Sequence, residues 1–413
     1  MSVPTPPGSA LTLAERVAAA ACLVYPFRIF LTEVTGIDLH LGLGSFVALG
    51  VVAVLTVRER PAGFPTSLDL GMIAFALIAI LDFGLLTGPT RLATKGLAVT
   101  GRFVAFYFLA RLLRLRAEFA AWLFAAIAAV GIAEAVVGAL DYHLGWGTLL
   151  SLCGRAPTKS FWKLGLPRLY SFAMDPLSVG YIFVLALAGC VFLASSRRHR
   201  ALVVVGLFTI WQALPLTLSR APVAFAVLLT IGFAIADAQR GRWFAKVSVI
   251  AVAAAALVYS LRGWNQPLEE YASVGGTLAD TSAAVHERDL RNGLELIWEQ
   301  PLGYGLGEAG VVALYEGGFF PANETHYVTV GVQMGVPGIV CFLWIVATSG
   351  LLWIGLLGRT ETEASALGRA GSAIWFALAA GGLVSGTWSM LVPEFYFWML
   401  TGTAANLVAA RTK

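Results

Sequence analysis

Apolar runs of about 17 to 25 residues recur along this chain, and that is the length a helix needs to cross the hydrocarbon of a bilayer. The alternation expected of an outer-membrane barrel strand is missing, so the runs are predicted to cross as helices. Hydrophobic residues make up 58% of the 413 and charged residues only 13%, where a soluble domain carries roughly 25% charged residues. The expected fold is all-α: a polytopic transmembrane helical bundle forming one domain over residues 1–413. About twelve spans are read, near residues 14–31, 39–57, 68–86, 96–112, 119–140, 176–195, 201–218, 221–237, 245–260, 326–348, 366–386 and 395–410.

Lys and Arg fall regularly on one set of short turns: Arg58 and Arg60; Arg111, Arg114 and Arg116; Arg197, Arg198 and Arg200; Arg240, Arg242 and Lys246; Arg359 and Arg369; Arg411 and Lys413. By the positive-inside rule these turns and both termini are cytoplasmic. The net charge of +4 therefore reports topology, and with no basic face on a water-soluble domain a nucleic-acid partner is excluded. Residues 1–10 contain no Lys or Arg, so the basic start of a cleavable signal peptide is missing and the first span is expected to stay. Cys22, Cys190 and Cys341 lie in spans, which leaves Cys153 in an outer loop without a disulfide partner. No Cys/His zinc spacing occurs, so neither a metal nor a cofactor is expected.

Two outer segments are long, roughly 141–175 and 261–325, so function should face outward, to the periplasm of a bacterial inner membrane. The second is charged and mostly polar and ends at Glu324, Thr325, His326 and Tyr327. Within it Leu290, Leu294, Ile297 and Trp298 recur at helical spacing, with Glu287, Arg288, Arg291 and Glu295 on other faces and Pro301 as the stop. An amphipathic helix of this content lies along a membrane surface. Arg288 and Arg291, three apart, can aim at the same point.

Several residues carry two readings. Arg220 follows Ser219 at the outer end of a span, either as an interfacial anchor or as a clamp on a lipid diphosphate, which guanidinium binds in bidentate fashion. Arg155, Lys159, Lys163 and Arg168 are either ordinary loop charge or an attraction for an anionic substrate. Asp175 before Pro176 is most simply a helix N-cap. Gly303, Gly305 and Gly307 lack the strand and helix of a phosphate loop and read as tight turns. Glu324 is a helix-end carboxylate favoured by the macrodipole, or a general base with His326 orienting a sugar hydroxyl. Asp82 and Glu134 are acids within spans, with Arg28 and Arg102 as internal partners, or else the working acids of an ion path.

Three segments in order, Leu216-Thr217-Leu218-Ser219-Arg220, then Leu294 to Gly307, then Tyr327 to Gly335 with Gly338, resemble the O-antigen ligase and polymerase superfamily. Arg168 to Gly180, with Phe172, Asp175 and Pro176, is similar to its re-entry before the middle spans, and the resemblance covers roughly residues 165–345. It implies a metal-independent, inverting glycosyltransferase whose donor is a glycan on undecaprenyl diphosphate. Chain-length regulator and flippase proteins are the implied partners. The family arginine after Ser maps onto Arg220; the one opening the outer-loop helix maps onto Arg288 or Arg291, although strict register from Pro301 brings His286 near that place. Arg168 and Asp175 are implied substrate-loop contacts.

Ligases of the family carry His-Asn ahead of the helix that opens on Tyr, and counting back from Gly335 and Gly338 puts Glu324 and Thr325 there, with His326 two residues late. This departure favours a polysaccharide polymerase over a ligase acting on lipid A core or protein. In the expected reaction the arginines stabilise the departing diphosphate, and Glu324 takes the proton of the acceptor hydroxyl. The rival of another class is an ion-coupled transporter or flippase.

Overall fold

The computed structural model describes residues 11–35, 63–145, 147–154, 162–163, 166–236, 240–261, 286–320, 325–359 and 362–410. Among these the regular structure is helical, apart from a short antiparallel pair, Trp162–Lys163 with Leu166–Pro167, and an isolated bridge between Ala309 and Phe320. Among the described residues, six helices are long and apolar enough to cross a membrane: Ser67–Thr87, Arg91–Leu112, Ala117–Gly145, Pro176–Leu193, Arg200–Thr217 and His326–Leu357. Arg220–Ala236 is apolar but shorter. The span expected at 39–57 lies outside the described residues. These helices fit a multi-pass membrane protein.

The chain divides into two compact units. Unit 1 comprises residues 1–60, 111–267 and 355–374. Its first helix, Leu13–Val24, opens on a capping box: Thr12 Oγ1 accepts from the Glu15 amide at 3.2 Å and Glu15 Oε2 accepts from the Thr12 amide at 2.9 Å. Glu15 is then gripped by both arms of Arg116, Nε to Oε1 at 2.9 Å and Nη2 to Oε2 at 2.7 Å. The start of helix Ala117–Gly145 is thereby tied to the start of Leu13–Val24. Helix Pro176–Leu193 is the centre of the unit, with 83% of its apolar window buried. It begins at Asp175, whose carboxylate accepts from Ser178 N at 2.7 Å, with Pro176 in the first turn. Gly131 faces Ala186 so closely that a Cβ would have no room, the small-residue contact through which helices approach in lipid.

Unit 2 comprises residues 61–110, 268–354 and 375–413. Its longest helix, His326–Leu357, is broken at Gly335, where φ is 64° and ψ −163°, and it contains Pro337. A proline has no amide, so Gln333 O loses its helical donor. Gly305 N supplies one at 3.0 Å, Tyr304 N reaches Val332 O at 2.8 Å, and Val336 N turns to Pro301 O at 2.8 Å. The segment Pro301–Gly307 thus repairs the backbone that the break opens, as irregular backbone within a membrane requires. Gly303, Gly305 and Gly307 all have positive φ; the turns expected there are present, and a helix, 286–299, precedes them.

Candidate functional site

In unit 1 the site residues gather on one turn. Pro215–Thr217 is a 3-10 turn that ends at Leu218 in the left-handed region, φ 48°. Ser219 follows it, and Arg220 opens helix Arg220–Ala236 as an exposed residue. Arg168 reaches this turn from the re-entering loop: its Nε donates to Thr217 O at 2.8 Å and its Nη2 to Ser219 Oγ at 2.7 Å. Leu169 N adds a bond to Leu216 O at 2.7 Å. A second guanidinium is therefore docked on the residue directly before Arg220. Behind the loop, Tyr170 packs with Leu149, Leu150, Cys153 and Met174. Burial, and then the charge of Asp141, pushes the Tyr170 hydroxyl above the usual phenol range.

In unit 2 the helix expected around Leu290–Trp298 is present over 286–299. Gly293 and Ile297 face inward, and Ile297 packs with Ala309, Val328 and Val332. Arg288 and Arg291 stand exposed, beside Asp289 at 3.4 Å and Glu287 at 3.0 Å respectively. Such exposed pairs hold their side chains weakly, at a few tenths of a kcal/mol. Further along, Lys95 and Arg91 both bond to Glu316. The Lys95 hydrogen bond is the main reason that carboxyl lies below the usual glutamate range.

His326 opens the broken helix, its amide held by Gly382 O at 2.9 Å. The side chain is buried beside the Phe342 ring, with centroids 5.2 Å apart. It lines a cavity with Phe103, Thr329, Gln333, Trp388 and Glu394. Arg102 binds Glu394 Oε2 through Nε and Ser389 O through Nη2. This corrects the expected pairing of Arg102 with Asp82 or Glu134. Glu394 was missed in the sequence, although an acid one residue ahead of the apolar run Phe395–Leu400 was a signal for it.

The two acids within spans lie against backbone. Asp82 faces the Leu306 amide of the glycine loop. Glu134 faces the Ser171 hydroxyl and the amides of Phe172 and Ala173. Neither acid meets these groups at hydrogen-bond distance: the carboxylate oxygens of both are buried without a partner. Arg28 lies over the Tyr25 ring, 5.5 Å from its centroid.

The structure thus joins Arg168 to the turn bearing Arg220, uses Asp175 as a cap, and places Arg288 and Arg291 on one exposed helix. Glu324 lies outside the described residues, as do Arg155 and Lys159. Among the described residues no group of three or more His, Cys, Asp or Glu is arranged to hold a metal. No family model matches the chain, and no curated protein matches it.

Proposed function

We propose that the chain is an inverting glycosyltransferase of about twelve spans in a bacterial inner membrane, with cytoplasmic termini and a periplasmic site. It polymerises glycan repeat units carried on undecaprenyl diphosphate into O-antigen or exopolysaccharide. The observation that carries this reading is the turn at Ser219. It presents Arg220 at the first residue of an apolar helix and docks Arg168 on the residue before it. Two guanidinium groups at the end of an apolar helix suit a ligand with a polyanionic head and a hydrocarbon tail, because guanidinium keeps its charge and forks onto phosphate oxygens.

Cleavage of the anomeric bond leaves negative charge on the diphosphate, and Arg220 stabilises that charge as it develops. Arg288 and Arg291 offer the same chemistry on helix 286–299. Glu324 accepts the proton of the attacking hydroxyl, and His326 orients that hydroxyl.

Glycan analysis of a strain lacking the chain tests the reading. A single repeat unit left on lipid A core is expected for a polymerase. Accumulated long chains still on the carrier lipid mean a ligase, and unchanged glycans together with loss of ion-coupled uptake in vesicles mean a transporter.

A further inference from the structure

The cavity in unit 2 holds buried charge that the proposed reaction leaves unexplained. Its volume is about 20 Å³, room for one water and nothing larger. Glu394 sits in helix Leu391–Ala410 among buried aromatic residues, fully enclosed. Arg102 neutralises it and fixes its plane by bonding Oε2 and the nearby Ser389 carbonyl. The other oxygen, Oε1, is buried without a protein donor. His326 Nδ1 is likewise buried without a protein partner, and both residues line the cavity.

The other side-chain amide and hydroxyl groups on the wall are occupied. Gln333 donates to Ala309 O at 2.9 Å and accepts from Thr100 Oγ1 at 3.1 Å and Gly307 N at 3.3 Å. Thr329 donates to Thr325 O and Ser389 to Gly386 O. The Trp388 indole nitrogen, also on the wall, is buried without a partner. What is left is one acceptor-only carboxylate oxygen, the Trp388 indole donor and one imidazole nitrogen able to donate, bordering space for a single water. A buried polar group left unmatched is costly, so a polar cavity of this size takes up water.

We propose that one water joins His326 Nδ1–H to Glu394 Oε1, and that Glu394, braced by Arg102, is a positioning residue that fixes the tautomer of His326. The water oxygen accepts from Nδ1–H and one water proton is donated to the carboxylate. Nε2 is then the ring nitrogen without a proton, fixed as an acceptor by the bond its partner nitrogen makes. The tautomer does not depend on the glycosyltransferase reading.

Nitrogen NMR of the full chain in nanodiscs, labelled at histidine, tests this. The chain has five histidines, and the His326 signals are those lost in His326→Gln. The expected spectrum has Nδ1 protonated and Nε2 bare, and in Glu394→Gln the ratio of the two tautomers falls by about tenfold or more, the change that about 1.4 kcal/mol produces. A wild-type spectrum with Nε2 protonated overturns the proposal without any variant. So does an unchanged ratio in folded Glu394→Gln; if that variant does not fold, the wild-type spectrum decides. The expected tautomer in a protein that transfers no sugar counts against the function alone.

Discussion

The Val336 amide donates to Pro301 O at 2.8 Å, one residue past the break at Gly335. The break and the glycine loop are therefore one construction, each satisfying the other's backbone. Gly335 has φ 64°, and a Cβ there would press on Pro301 O. Gly335→Ala is expected to lose at least about 2 kcal/mol, combining positive-φ strain with a backbone clash. Gly355→Ala, where a Cβ meets nothing within 4 Å, is expected to be neutral or slightly stabilising. Thermal unfolding of the two variants in the same detergent is the check, and equal midpoints would show that the loop yields freely.

The two-armed bond from Arg116 to Glu15 sets a second expectation. Glu15 is buried and Arg116 is 38% exposed, so water screens part of the pair. Arg116→Lys, which keeps the charge but loses the fork, is expected to cost about 1 to 2 kcal/mol. A midpoint within error of wild type would mean that one contact to Glu15 suffices.

Arg168 is held by two bonds from different nitrogens, one to Thr217 O and one to Ser219 Oγ. Lysine reaches one of them. In a reconstituted polymerisation assay Arg168→Lys is expected to lower the rate about tenfold by loosening the turn, the effect of roughly 1.4 kcal/mol. Arg220→Lys is expected to lower it further, since on the proposed reading it removes the forked contact with phosphate. Normal rates in both variants would rule out the arginine turn as the diphosphate contact.

The Glu316 carboxyl is depressed by Lys95 and then by Arg91, so its contribution is present above the ordinary glutamate range and lost as pH falls through its lowered value. Unfolding midpoints of wild type and Glu316→Gln are expected to differ slightly at about pH 7 and to converge as the pH falls below the ordinary glutamate range. A gap that widens on acidification would show the opposite sign.

Features that depend on neighbours in sequence were legible before the structure. The Asp175 cap with Pro176, the helix 286–299 and the tight turns at Gly303, Gly305 and Gly307 each follow from local spacing or local conformational need. The contact of Arg102 with Glu394 joins residues 292 apart, and that of Arg168 with Ser219 joins residues 51 apart; no periodicity encodes either. Gly335 and Pro337 were visible, yet 326–348 was read as one uninterrupted span, because hydropathy reports solvent preference and is blind to a missing amide. Glu394 escaped for a related reason: beside so apolar a run it reads as the edge of a span, whereas the fold encloses it.

Helix Pro176–Leu193, with 83% of its window buried, also sets an order of assembly. Synthesis delivers it before Arg200–Ala213 and Arg220–Ala236, which pack against it. Until they arrive, the face that carries Gly180, which packs on Pro222, meets lipid tails that match it poorly. A ribosome stalled before residue 220 would leave that face uncovered.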